Sequence, residues 1–172
     1  MKPILMLLLV VTSFPLYADK VRRCNKGETH DVKRARSFLK ANISEILSDP
    51  SISDLSRREK RVVKRKLSTR PVIKGVAIKC MDDRRVCKDR ILGVERAPFN
   101  KRIVVCYQEI KSLFGNQSFC MLAETILHEI GHAARVKKGA DHNQGPNGDR
   151  VYRLGQSARK ICQKYGLERS LL

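Results

Sequence analysis

The chain has 172 residues, with 36 Lys and Arg against 17 Asp and Glu, a formal net charge of +19, and no Trp. That length suits one domain with a real hydrophobic core, and the positive surplus attracts polyanions, acidic surfaces among them, without choosing between them. With only 4 Tyr and 5 Phe there are few platforms for stacked bases, which argues against a single-strand nucleic-acid binder.

The chain opens on MKPILMLLLVVTSFPLYA, residues 1–18. A positive head, an apolar run from Ile4 to Val11, a proline and a small residue follow the order of a secretory signal peptide, with cleavage after Ala18. The run is too short to span a bilayer, which takes roughly 20 apolar residues. The expectation is a secreted or periplasmic monomer with no stable membrane insertion. Residues 19–172 then form a single domain, of which 19–70 is a basic helical N-terminal part or a pro-segment. All six cysteines lie in that stretch, at Cys24, Cys80, Cys87, Cys106, Cys120 and Cys162. An even count in an exported chain favours disulfides over metal thiolates. CMDDRRVC closes a local loop between Cys80 and Cys87, leaving Cys106–Cys120 and Cys24–Cys162 as the remaining pairs.

From Thr29 the apolar residues recur at three- and four-residue steps. Val32, Ala35, Phe38, Leu39, Ile43, Ile46 and Leu47 make one stripe of a first helix. SDPSISD interrupts it, and Ser53 or Asp54 is positioned to cap a second helix over about Leu55 to Leu67. That helix keeps Leu55, Val62, Val63 and Leu67 on one side and carries seven Lys and Arg elsewhere. Such a helix either packs on a core with a solvated basic face or lies on phosphates or anionic lipid. After Pro71 the period changes. VIKGVAIKC (72–80), RILGVERAP (90–98) and KRIVVCYQ (101–108) read as strands, the last two joined as a hairpin through APFNK. A helix follows from about Phe119 to Val136 with Ser118 as its candidate cap. KKGADHNQGPNGD is a loop, and Val151, Leu154, Ala158, Ile161 and Cys162 mark a closing helix. The order predicts an α+β fold: N-terminal helices, a small mainly antiparallel sheet, a long helix, and a closing C-terminal helix, stapled by disulfides.

The long helix carries HEIGH. His128 and His132 stand at i and i+4, so both rings leave one helix face about 6 Å apart, within reach of one ion bound at about 2.0–2.1 Å from each nitrogen. Glu129, tilted off that face, can reach a water on the metal without binding the metal. The ion implied is Zn2+. A catalytic zinc site takes a third protein ligand and keeps one position open. A third histidine six residues after His132 is absent, since Lys138 stands there, and Glu168 is too near the chain's end. Asp149, His142 and Asp141 remain.

ETILHEIGHA, with GDRVYRLG downstream and RIVVCYQEI upstream, resembles the aspzincin metallopeptidases, the deuterolysins and peptidyl-Lys metalloendopeptidases. They pair H-E-x-x-H with a pattern close to G-T-x-D-x-x-Y-G, and here Asp149 lies three residues before Tyr152. The likeness runs from Arg102 to Ala158, about a third of the chain. No Gly-Thr precedes Asp149, and the glycine is at Gly155 instead of directly after the tyrosine. The resemblance implies a zincin-like fold, Asp149 as third zinc ligand, Glu129 as general base and Tyr152 as a hydrogen-bond donor to the oxyanion. The function expected is hydrolysis of a protein or peptide substrate by a zinc-activated water. Two other readings share the motif: a cationic polyanion-binding protein with a structural zinc, and a zinc amidase acting on cell-wall peptides.

Overall fold

The computed structural model describes residues 21–68, 76–81, 86–87, 92–95, 102–137, 149–168 and 171. Residues 1–18, His142 and Asp141 lie outside them. Five helices and four short strands make up this part: β1 (Val21–Arg22), α1 (Lys26–Ile46), α2 (Arg57–Ser68), β2 (Ala77–Cys80), β3 (Gly93–Glu95), β4 (Arg102–Val105), α3 (Tyr107–Phe114), α4 (Ser118–Ala133) and α5 (Arg150–Lys164).

Asn25 starts α1 with a reciprocal cap: its Oδ1 accepts from Glu28 N at 2.9 Å, and Glu28 Oε2 accepts from Asn25 N at 2.9 Å. All seven residues of the expected apolar stripe are buried. The helix is therefore part of the fold and contributes to its centre. Tyr107 of α3 ties to it by donating to Asp31 Oδ2 at 2.7 Å, both side chains being buried. Burial, and then that bond to a carboxylate, push the Tyr107 phenol well above its ordinary range. The second helix starts later than expected and takes its cap from Ser56, not Ser53 or Asp54. Ser56 Oγ accepts from Glu59 N at 3.2 Å while Glu59 Oε2 accepts from Ser56 N at 2.9 Å.

The strands form one sheet in the order β1-β2-β4-β3. The β3–β4 hairpin is antiparallel, as expected, but β1–β2 and β2–β4 are parallel, so the sheet is not mainly antiparallel. The reason lies in the connections. The chain between β1 and β2 crosses over through α1 and α2 and returns in the same direction, as a parallel pair requires. β3 then takes the edge, and β4 inserts between it and β2. Tyr107 and Gln108 belong to α3, a helix the strand pattern concealed.

Nearly every side of α4 is buried, and it touches α1, α2, α3, α5, β3 and β4. Its closest partner is α5, which runs antiparallel to it. A Cβ on Gly131 would lie 3.0 Å from Val151 Cγ1, and one on Gly155 would lie 3.1 Å from the Glu124 carbonyl and 3.2 Å from His128 Cβ. Two glycines thus let the backbones approach.

All three expected cysteine pairs are replaced. The disulfides are Cys24–Cys80, Cys87–Cys106 and Cys120–Cys162. Parallel pairing of β1 with β2 carries Cys24 to the end of β2. The hairpin brings the end of β4 to Cys87. The antiparallel α4–α5 contact sets Cys120 opposite Cys162.

Candidate metal centre

α4 positions the motif as its spacing requires. The Nε2 atoms of His128 and His132 are 3.0 Å apart, and the rings meet edge to face at 83°. Glu129 is 4 % exposed, and its Oε1 is 4.0 Å from His128 Nε2. Both imidazoles are half-buried, as is Glu124 one turn earlier, on a helix otherwise buried. A cation bonded at about 2.0–2.1 Å to both nitrogens spans a 3.0 Å gap at an angle slightly above a right angle, a modest compression of a tetrahedron. Two imidazole nitrogens at this spacing suit one zinc ion, which takes a third protein ligand besides.

α5 brings the second group. The Tyr152 ring lies 4.5 Å from the His128 ring, tilted by 59°. Asp149 is the N-cap of α5, completely buried, with Oδ1 accepting from Val151 N at 2.6 Å. Val151, two residues on, packs on Gly131 beside His132, but Asp149 does not gather with His128 and His132 into a three-donor group within 4.8 Å.

Two neighbours went unread in the sequence. A Cβ on Gly93 would lie 2.8 Å from Thr125 Cγ2 and 3.0 Å from Glu129 Cγ and Oε1, so β3 crosses against the glutamate. A lone glycine in a strand pattern is the signal of such an approach. Glu124 stands one turn before His128, against Gly155. Its burial raises the carboxyl above the ordinary range, and Arg159 at 3.8 Å draws it back only in part. Elsewhere Cys24, Glu28 and Cys80 lie within 4.8 Å of one another. The two sulfurs are bonded to each other, which removes them as thiolate ligands.

Glu59 joins three elements beside the centre. Its carboxylate accepts from Lys137 N at 3.2 Å and from Arg150 Nη1 and Nη2 at 3.2 and 3.0 Å, besides the Ser56 bonds. Burial opposes its charge, but the hydrogen bonds and Arg150 outweigh burial and hold it at about 2. A folded-state value below the unfolded one contributes stability above the ordinary glutamate range, lost as pH falls through about 2. Thermal melts of wild type and Glu59→Gln should therefore differ most at neutral pH, wild type being the more stable, and converge near pH 2. Parallel melting curves across that range would remove Glu59 from the acid sensitivity.

No protein-family model, no curated protein and no solved structure matches this chain. The functional reading therefore rests on the side chains themselves.

Proposed function

We propose that the chain is a secreted zinc metallopeptidase of aspzincin-like type. His128, His132 and Asp149 hold the ion, Glu129 is the general base and Tyr152 the oxyanion donor. The observation that carries this reading is the convergence of two imidazole Nε2 atoms, 3.0 Å apart, beside a buried carboxylate 4.0 Å from one of them. Zinc bound there supplies Lewis-acid activation of water and of a scissile carbonyl. The Glu129 carboxylate takes a proton from the attacking water and delivers it to the leaving nitrogen. Its contact with Gly93 fixes the direction in which it acts. The phenol of Tyr152 donates to the oxygen that gains charge. β3 supports the same reading, because it is an edge strand passing Glu129 and an extended peptide can pair along such an edge.

Export is supported by the three disulfides, which form and persist in oxidising compartments. No helix among the described residues is long and apolar enough to cross a membrane.

Elemental analysis of the purified, disulfide-bonded protein tests the centre. About one zinc per chain is expected, lost in His128→Ala and in His132→Ala. Peptide hydrolysis should vanish on chelation and return with added zinc. A folded wild type that takes up no zinc would sink the proposal.

A further inference from the structure

The helices treat their cations in two ways. On α5, Arg150, Arg153, Arg159, Lys160 and Lys164 each meet a carboxylate from elsewhere in the chain, at 2.7–3.8 Å. On α2, Arg57, Arg58, Arg61 and Lys64 are exposed, and among the described residues none of the four meets a carboxylate. Lys64 donates to the Ser44 hydroxyl of α1 at 3.3 Å, a neutral partner that leaves its charge uncompensated. Arg65 and Lys66 have partners of their own and stand apart from these four. Arg57, Arg61 and Lys64 follow one another at helical spacing, a charged ridge about 10 Å long.

Ser37, Ala41 and Ser44 of α1, and Ser48 just past its end, are exposed at the same helical spacing. The Lys64–Ser44 bond sets that row of small side chains alongside the ridge. No long side chain in the row holds a flat partner away from the cations. The acids of both helices are occupied elsewhere. Glu28 and Asp31 are buried, Glu45 pairs with Lys164 of α5, and Glu59 is taken up by Arg150. We propose that this face of α1 and α2 docks on the surface of a bilayer rich in anionic phospholipid. The inference is independent of the metal centre.

The apolar side of α2 is turned inward, where Val63 and Leu67 are completely buried. The large exposed hydrophobics among the described residues are Leu113 on α3 and Tyr165 after α5. The face therefore offers cations to headgroup phosphates and nothing to insert among acyl chains. Docking of this kind is electrostatic, each cation near the surface counting for about fivefold in affinity. Arginine suits the task, since its guanidinium donates two parallel hydrogen bonds to a phosphate. Nucleic acid fits less well. A helix that enters a major groove about 12 Å wide has to stand proud of its neighbours, whereas α2 lies beside the exposed row of α1. The exposed residues of the two helices include no Phe, Tyr or Trp for bases to stack on. Export, proposed above, also brings the chain to bilayer surfaces. The helix packs through one side and docks through the other.

Cosedimentation of the purified, disulfide-bonded protein with lipid vesicles supplies the test. Vesicles of phosphatidylcholine alone are compared with vesicles of equal parts phosphatidylcholine and phosphatidylglycerol. The wild type should sediment with the anionic vesicles, be released by salt, and stay in solution beside the neutral ones. The face triple Arg57→Gln, Arg61→Gln, Lys64→Gln should lose about a hundredfold in partitioning. A control triple of equal charge loss, Arg23→Gln, Arg102→Gln, Lys111→Gln, should lose less than about fivefold. All six residues are exposed, and circular dichroism checks that both variants fold. Should the face triple fail to fold, Lys64→Glu alone should lose about tenfold or more. Equal losses in the two triples would reduce the effect to overall charge and overturn the docking face. Equal binding to neutral vesicles would overturn it as well. A short DNA duplex bound more tightly per phosphate than the anionic vesicles, and released in the face triple, would overturn the lipid and make nucleic acid the partner. None of these readouts depends on zinc or on cleavage, so the face stands or falls apart from the metallopeptidase reading.

Discussion

Glu129→Gln should leave the protein folded and zinc-loaded while lowering peptide hydrolysis by about a hundredfold or more. The substitution keeps the shape of a side chain that is 4 % exposed and pressed against Gly93. It removes the negative charge and the proton-accepting oxygen. General-base catalysis needs an acceptor within hydrogen-bond reach of the water, and the Glu129 carboxylate lies 4.0 Å from His128 Nε2. Glu129 is tilted away from the face on which the two histidines meet, so zinc content should stay near wild type. Elemental analysis and a peptide assay on the same preparation separate the roles. Activity retained beside wild-type zinc would exclude Glu129 as the base. Zinc lost beside a normal fold would make it a ligand.

Helical periodicity carried most of what could be read from the sequence. The stripe from Val32 to Leu47 and the run from Val151 to Cys162 are buried as their spacing requires, because a helix determines its own faces from local repeats of 3.6 residues. Strand direction has no such local record. Whether β2 runs with or against β4 depends on a crossover and on an edge strand inserted later, and the three disulfides follow from the same long-range pairings. α3 was hidden because Tyr107 continues the apolar run of RIVVCY, and its two helical turns are too short to display a period.

The candidate site divides in the same way. His128, Glu129 and His132 share one helix, so their mutual geometry is legible in five letters. Tyr152 reaches His128 only because Gly131 and Gly155 let α5 approach α4. Glu59, 91 residues from Arg150 in the chain, gave no sign of its partners, since its sequence neighbourhood reads as a solvated basic helix.

Asp149 offers the sharper separation of structure from chemistry. Its Oδ1 caps α5 through Val151 N, which alone accounts for a buried aspartate at a helix start, while the proposed zinc site would give the same carboxylate a second task. Asparagine caps about as well as aspartate, whereas alanine forfeits about 0.5–2 kcal/mol of helix stability. An amide is also a far poorer zinc ligand than a carboxylate. Asp149→Asn should therefore melt close to wild type in the presence of chelator, the loss of charge at the helix start costing about 0.3–1 kcal/mol. Its zinc affinity should fall by more than about tenfold. Asp149→Ala should show the same zinc defect together with a lower melting temperature. If Asp149 is only a cap, Asp149→Asn will bind zinc like wild type and Asp149→Ala will differ in stability alone. Zinc kept in Asp149→Asn but lost in His142→Ala would move the third ligand into the loop between the two helices. The motif helix would then hold the same ion in a differently closed site, and Asp149 would be left with the hydrogen bond it already makes.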